Sequence, residues 1–60
     1  MNFEDFKAIL FMHGQDAIED FLGYSINPNE DKDVTDNRLD EAYAQMPEDE
    51  YNKFVRAYAE

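Results

Sequence analysis

Carboxylates supply most of the reactive groups in this 60-residue chain, which carries fifteen Asp and Glu against five Lys and Arg for a formal charge of −10. Nine of them (Glu30, Asp31, Asp33, Asp36, Asp40, Glu41, Glu48, Asp49 and Glu50) fall in one third of the sequence, opposed only by Lys32 and Arg38. Three kinds of chemistry suit such a run: general acid catalysis, cation binding, or docking on a basic partner. A catalytic acid needs a carboxyl whose pKa is raised by burial or by a close like charge, and these side chains read as exposed. A calcium loop follows D-x-[DN]-x-[DN]-G and closes on a bidentate glutamate at its twelfth position. Counted from Asn29, oxygen ligands fall at Asn29, Asp31 and Asp33, but Val34 stands where glycine is required and the shorter Asp40 closes the loop. Counted from Asp31, the last position is Ala42. No metal ligand set is expected.

The remaining candidates are few. His13 stands alone beside Gly14, where a helix C-terminus favours a cationic ring. Ser25 has no nucleophile motif around it, and each of the two glycines stands singly, with no phosphate-cradling pattern. Cysteine is absent, so neither a disulfide framework nor a thiolate zinc site can reinforce the core. A chain of this length buries only about 60% of the surface its unfolded form exposes, which leaves little room for an internal substrate pocket. The expectation is a protein without catalytic residues and without a cofactor.

The elements that must carry these groups are helical. Asn2 can cap a first helix with Glu4 and Asp5 in its opening turn, and Phe3, Phe6, Ile9, Leu10 and His13 share one face. Gly14 stops it. A second helix from Gln15 places Ala17, Ile18, Phe21 and Leu22 on its buried side and ends at Gly23. Residues 24–33 lack a helical period, and Asn27-Pro28-Asn29 favours a turn. A third helix, capped by Asp33 or Thr35, aligns Leu39, Ala42, Tyr43 and Met46. Pro47 then opens a fourth as its first helical residue, with a stripe of Tyr51, Phe54, Val55 and Tyr58. The pattern predicts one all-α domain over residues 1–60: four helices, with one long acidic loop between the second and third.

Helical periodicity sets Asp33, Asn37, Asp40 and Glu41 away from the Leu39, Tyr43, Met46 stripe, as an outward acidic face. On the fourth helix Asp49 precedes Lys53 by four residues, the favourable orientation for an ion pair. Crowded like charges oppose compaction, so a small domain that keeps them points to a basic partner. A presented surface would combine Glu30, Asp31, Asp33, Asp36, Asp40, Glu41, Glu48 and Asp49, with Tyr24 and Phe11 as aromatic anchors. In size, charge and these carboxylates over aromatic stripes, the chain resembles the small acidic helical proteins by which bacteriophages block nucleic-acid-binding host enzymes, including DNA mimics and some anti-CRISPR proteins. The resemblance implies an inhibitor acting in the cytoplasm, the host's if the protein is phage-encoded. Its partner would be a basic, nucleic-acid-binding protein or enzyme.

A field this negative repels nucleic acid and anionic membranes, so neither is expected to bind directly. No run approaches the roughly 20 apolar residues of a membrane span, and the amino end is acidic where a secretory signal is basic. A rival reading starts from Ala8, Phe11 and Met12, which lie off the main apolar face of the first helix. Either that helix is central and covered on two sides, or its spare stripe joins copies in a homodimer or other structural assembly whose acidic face only gives solubility.

Overall fold

Short polar caps and glycines set the helix boundaries. In the computed structural model, which describes residues 1–60, the chain forms α1 (Phe3–His13), α2 (Gln15–Leu22), α3 (Lys32–Gln45) and α4 (Glu48–Ala59), with no strand. Asn2 Oδ1 accepts the Asp5 N–H at 2.9 Å and starts α1. A single residue, Gly14, separates α1 from α2. Its φ of 110° lies where side-chain-bearing residues are strained, so the corner depends on glycine. Gly23, at φ 83°, closes α2 in the left-handed conformation and donates its N–H to the Glu19 carbonyl.

Two boundaries differ from expectation. Asp31, rather than Asp33 or Thr35, caps α3 by accepting the Asp33 N–H at 3.1 Å. Thr35 is buried one turn into the helix, where its hydroxyl donates to Glu30 at 3.0 Å. The earlier cap wins because it adds a turn of helix and frees Thr35 for that bond. Pro47 is likewise the cap of α4, and Glu48 is the first helical residue. The connector that was expected to be long and acidic shortens to residues 23–31 and contains two carboxylates, Glu30 and Asp31. Both are used within the fold.

Phe6, Leu10 and Leu39 are fully buried and, with Ala17, Ile18, Phe21 and Tyr51, form the core. Each such large side chain contributes about 1.5–3 kcal/mol by leaving water. α1 is central, packing against α2, α3 and α4, and α2 also packs on α3; of its spare stripe, however, only Phe11 is partly covered, while Ala8 and Met12 stay exposed. α4 leans on α1, and its backbone is largely separated from α2 and α3, which it approaches closely only at isolated points. Aromatic rings bridge that separation, Phe21 to Phe54 at 5.0 Å and Tyr43 to Tyr51 at 4.9 Å between centroids. The accessible surface is 4136 Å², in line with the roughly 4,100 Å² typical of a compact chain of this mass. The stand-off of α4 therefore costs no general compactness.

Candidate functional site

The acidic surface is built from α3 and the α3–α4 corner, and its centre is stapled to the body of the protein. Asp36 and Asp40, one turn apart on α3, both face α1. There the Lys7 ammonium lies 2.8 Å from Asp40, 3.1 Å from Asp36 and 3.2 Å from Glu4. Lys7 is buried, with Nζ 5.5 Å from the Phe3 ring centroid. The hydrogen bond to Asp40 is the main reason its pKa lies above the usual lysine value; the bonds to Asp36 and Glu4 add to this, and burial opposes it. A second staple joins Arg38 Nε to Glu30 at 2.8 Å. The guanidinium also donates to the Tyr24 hydroxyl at 3.3 Å and lies over that ring. The Arg38 hydrogen bond, helped by Thr35, holds the Glu30 carboxyl below the ordinary carboxylate range against the effect of burial.

The ten residues expected to form one docking surface are therefore divided. Glu30, Asp36 and Asp40 hold internal cations, and Asp31 serves as a helix cap. Phe11 is half-buried against the core, with the Lys32 ammonium 5.1 Å from its ring centroid. Asp33, Glu41, Glu48 and Asp49 are exposed and make no ion pair, as is Glu50 beside them, and Tyr24 is 48% exposed. Successive helix residues turn by about 100°, which puts Asp36 and Asp40 on the flank of α3 toward α1 and Glu41 on the opposite flank, beside Leu22 and Tyr24. The anticipated pair of Asp49 with Lys53 does not form, and Arg56 is also without an ion pair.

Sequence reasoning overlooked Lys7. The signal was present: a lone lysine between Phe6 and Leu10 on a helix otherwise apolar nearly all round, in a chain rich in uncompensated carboxylates. It also overlooked Glu19, whose carboxylate accepts Gln15 Nε2 at 2.8 Å and the Ile26 N–H at 3.0 Å, tying the α2–α3 connector down.

His13 and Tyr58 are engaged in structure, whereas Ser25 is exposed. His13 Nε2 lies 3.0 Å from the Tyr58 carbonyl, and the Tyr58 hydroxyl donates to Asp20 at 2.6 Å, so the ends of α1 and α4 are tied to α2. The bond to Asp20 pushes the Tyr58 hydroxyl pKa up, with burial adding to it. His13 thus faces a backbone carbonyl rather than a nucleophile. No three His, Asp or Glu side chains converge to hold a metal ion, and every buried side-chain nitrogen and oxygen has a hydrogen-bond partner. What the arrangement offers chemically is anionic surface with hollows of mixed polar and apolar lining beside it. The chain matches no protein-family model, no curated protein and no solved structure.

Proposed function

We propose that this is a non-enzymatic acidic binding protein that docks on a basic protein surface and blocks it, the surface being one that otherwise receives nucleic acid. The observation that carries the reading is the charge left over after folding. Four of the fifteen carboxylates (Glu4, Glu30, Asp36 and Asp40) meet a cation within the chain, and eleven do not. The molecule is 30 Å long; a duplex of that length carries about eighteen phosphates, about nine on each strand. A net charge of −10 over the whole molecule is close to the number on one of those strands and falls well short of the duplex. The internal staples narrow the docking surface to Asp33, Glu41 and the turn of Glu48, Asp49 and Glu50, with Tyr24 at its edge. No helix is long and apolar enough to cross a membrane, and the proposed place of action is the cytoplasm, the host's for a phage-encoded protein.

Charge attraction of this kind acts mainly on the association rate and is screened by salt. The test is capture of a partner at low ionic strength by the wild type and by a variant carrying Asp33→Lys, Glu41→Lys, Glu48→Lys and Asp49→Lys. Association kinetics with the captured protein are then followed across a salt series, with single-stranded nucleic acid as competitor. The reading requires a rate that falls steeply with salt, loss of capture by the variant, and competition. A rate indifferent to ionic strength refutes it.

One observation favours self-association instead. Met12 is 85% exposed and, with Ile9, His13 and Tyr58, lines a hollow of about 300 Å³. Light scattering on the wild type and on Met12→Asp separates the two readings, since a homodimer joined there dissociates in the variant. Phe11→Asp is less informative, because Phe11 packs on the core and its loss lowers stability under either reading.

A further inference from the structure

α4 touches the rest of the protein chiefly through α1, and the space left beside it is a trough. Two adjoining hollows, of about 330 and 260 Å³, run between α2, α3 and α4 and share Leu22, Ala42 and Gln45 as walls. Met46 and Phe54 add apolar floor to the first and Tyr24 bounds the second, while the exposed lining of both hollows is mixed and more polar than apolar. Leu22, Ala42, Met46 and Phe54 are all only half-buried. The charges around the trough are of one sign: Asp20 and Glu50 border the first hollow and Glu41 the second, and the single cation there, Arg38, is already held by Glu30.

From this geometry we infer that the trough receives a cationic amphipathic segment of a partner protein. Apolar side chains would enter against Leu22, Ala42 and Phe54, and lysines or arginines beside them would meet Asp20, Glu41 and Glu50. The inference rests on the docking reading above and adds where lasting contact is made. An apolar floor with a carboxylate rim selects both features at once. A purely basic segment leaves the floor wet, and a neutral apolar one leaves the rim carboxylates desolvated beside it without a counter-charge. Two hollows sharing a wall suit two anchors on one side of a helix, spaced i and i+3 or i+4. A second copy of this chain does not fit. Of its three cations without an ion pair in the fold, Lys32 already lies over the half-buried Phe11 ring, and Lys53 and Arg56 project from the outer side of α4, whose apolar stripe is turned onto the core and offers no large anchor beside them.

The test uses the whole chain, labelled with nitrogen-15, and three synthetic helical peptides. One alternates leucine and lysine at amphipathic spacing, the second replaces its leucines with serine, and the third replaces its lysines with glutamine. The leucine–lysine peptide is expected to shift amide signals of Leu22, Ala42, Gln45, Glu50 and Phe54, and to bind roughly tenfold or more tightly than either control, as loss of an apolar anchor or of its flanking charge requires. Glu41→Lys with Glu50→Lys, at two exposed positions without internal partners, should abolish that preference. Glu48→Lys with Asp49→Lys makes the same change in net charge away from the trough and should preserve it. Equal binding of the lysine peptides with and without leucine, with shifts spread over Asp33 to Glu41, overturns the trough and leaves acidic docking standing. Equal binding of the glutamine peptide overturns the cationic partner. Failure of every peptide to bind at low salt overturns the trough and the docking reading together.

Discussion

Lys7 shows how one side chain redistributes the charge of a whole surface. Its ammonium is buried among Glu4, Asp36 and Asp40, so two carboxylates expected on the outer face serve instead to hold α3 on α1. Lys7→Met retains the apolar stem and removes the charge, which leaves Asp36 and Asp40 repelling each other one turn apart. Hydrogen bonds to charged groups are worth about 1.5–3 kcal/mol, and both aspartates are open enough to water to soften the loss. The expected destabilisation is about 2 kcal/mol in urea unfolding, largely restored by adding Asp36→Asn and Asp40→Asn. Glu19 and Glu30 set the acid limit. Hydrogen bonds from Gln15 to Glu19 and from Arg38 to Glu30 hold both pKa values below the ordinary 4.5. Because the folded values are the lower ones, their contribution is complete above that pH and disappears as the pH falls through them. Thermal melts below pH 4.5 should show this decline, and Glu30→Gln should make it shallower.

At the scale of the elements, the two glycines differ in a measurable way. A Cβ at either position meets no atom within 4 Å, so substitution is a question of backbone alone. Gly23 sits in the ordinary left-handed region, where alanine costs about 1 kcal/mol. Gly14, at φ 110° and ψ −172°, occupies a region reserved for glycine, where strain runs to about 1–3 kcal/mol. Gly14→Ala should therefore destabilise more than Gly23→Ala in chemical unfolding, and equal losses would show that the α1–α2 corner relaxes. Asn2→Ala, which removes the cap bond to Asp5, should cost about 1 kcal/mol and fray the start of α1 in amide exchange. That end carries Phe3, which stacks on Tyr43 at 4.1 Å.

The molecule as a whole must hold a net charge of −10 within a body 30 Å by 21 Å by 18 Å. At about 10 mM salt the screening length is about 30 Å, so every carboxylate acts on every other; at about 1 M it is about 3 Å and only neighbours interact. Self-repulsion opposes compaction, while the two stapled cations are partly screened along with it. The balance predicts a melting temperature that rises with sodium chloride, the reverse of a fold held together by surface ion pairs. A fall with salt would mean that Lys7 and Arg38 outweigh the repulsion of the eleven carboxylates without an ion pair.

Much of the architecture was legible in the order of residues. Asn2, Gly14, Gly23 and Pro47 mark boundaries by local chemistry, and the stripes of Phe6 with Leu10 and of Tyr51 with Phe54 repeat at helical spacing, so neither inference needs a distant partner. The start of α3 was less legible because Asp31, Asp33 and Thr35 are all competent caps, and the choice among them turned on Thr35 bonding to Glu30 across the turn. The acidic surface was least legible. Which carboxylates remain available to a partner depends on which of them Lys7 and Arg38 reach, and Lys7 meets Asp36 and Asp40 from 29 and 33 residues away. The trough beside α4 is a product of the same long-range packing. The type and extent of the helices belong to the sequence because they follow from near neighbours; the sharing of charge and the open groove belong to tertiary structure because they follow from where α1 and α4 come to rest.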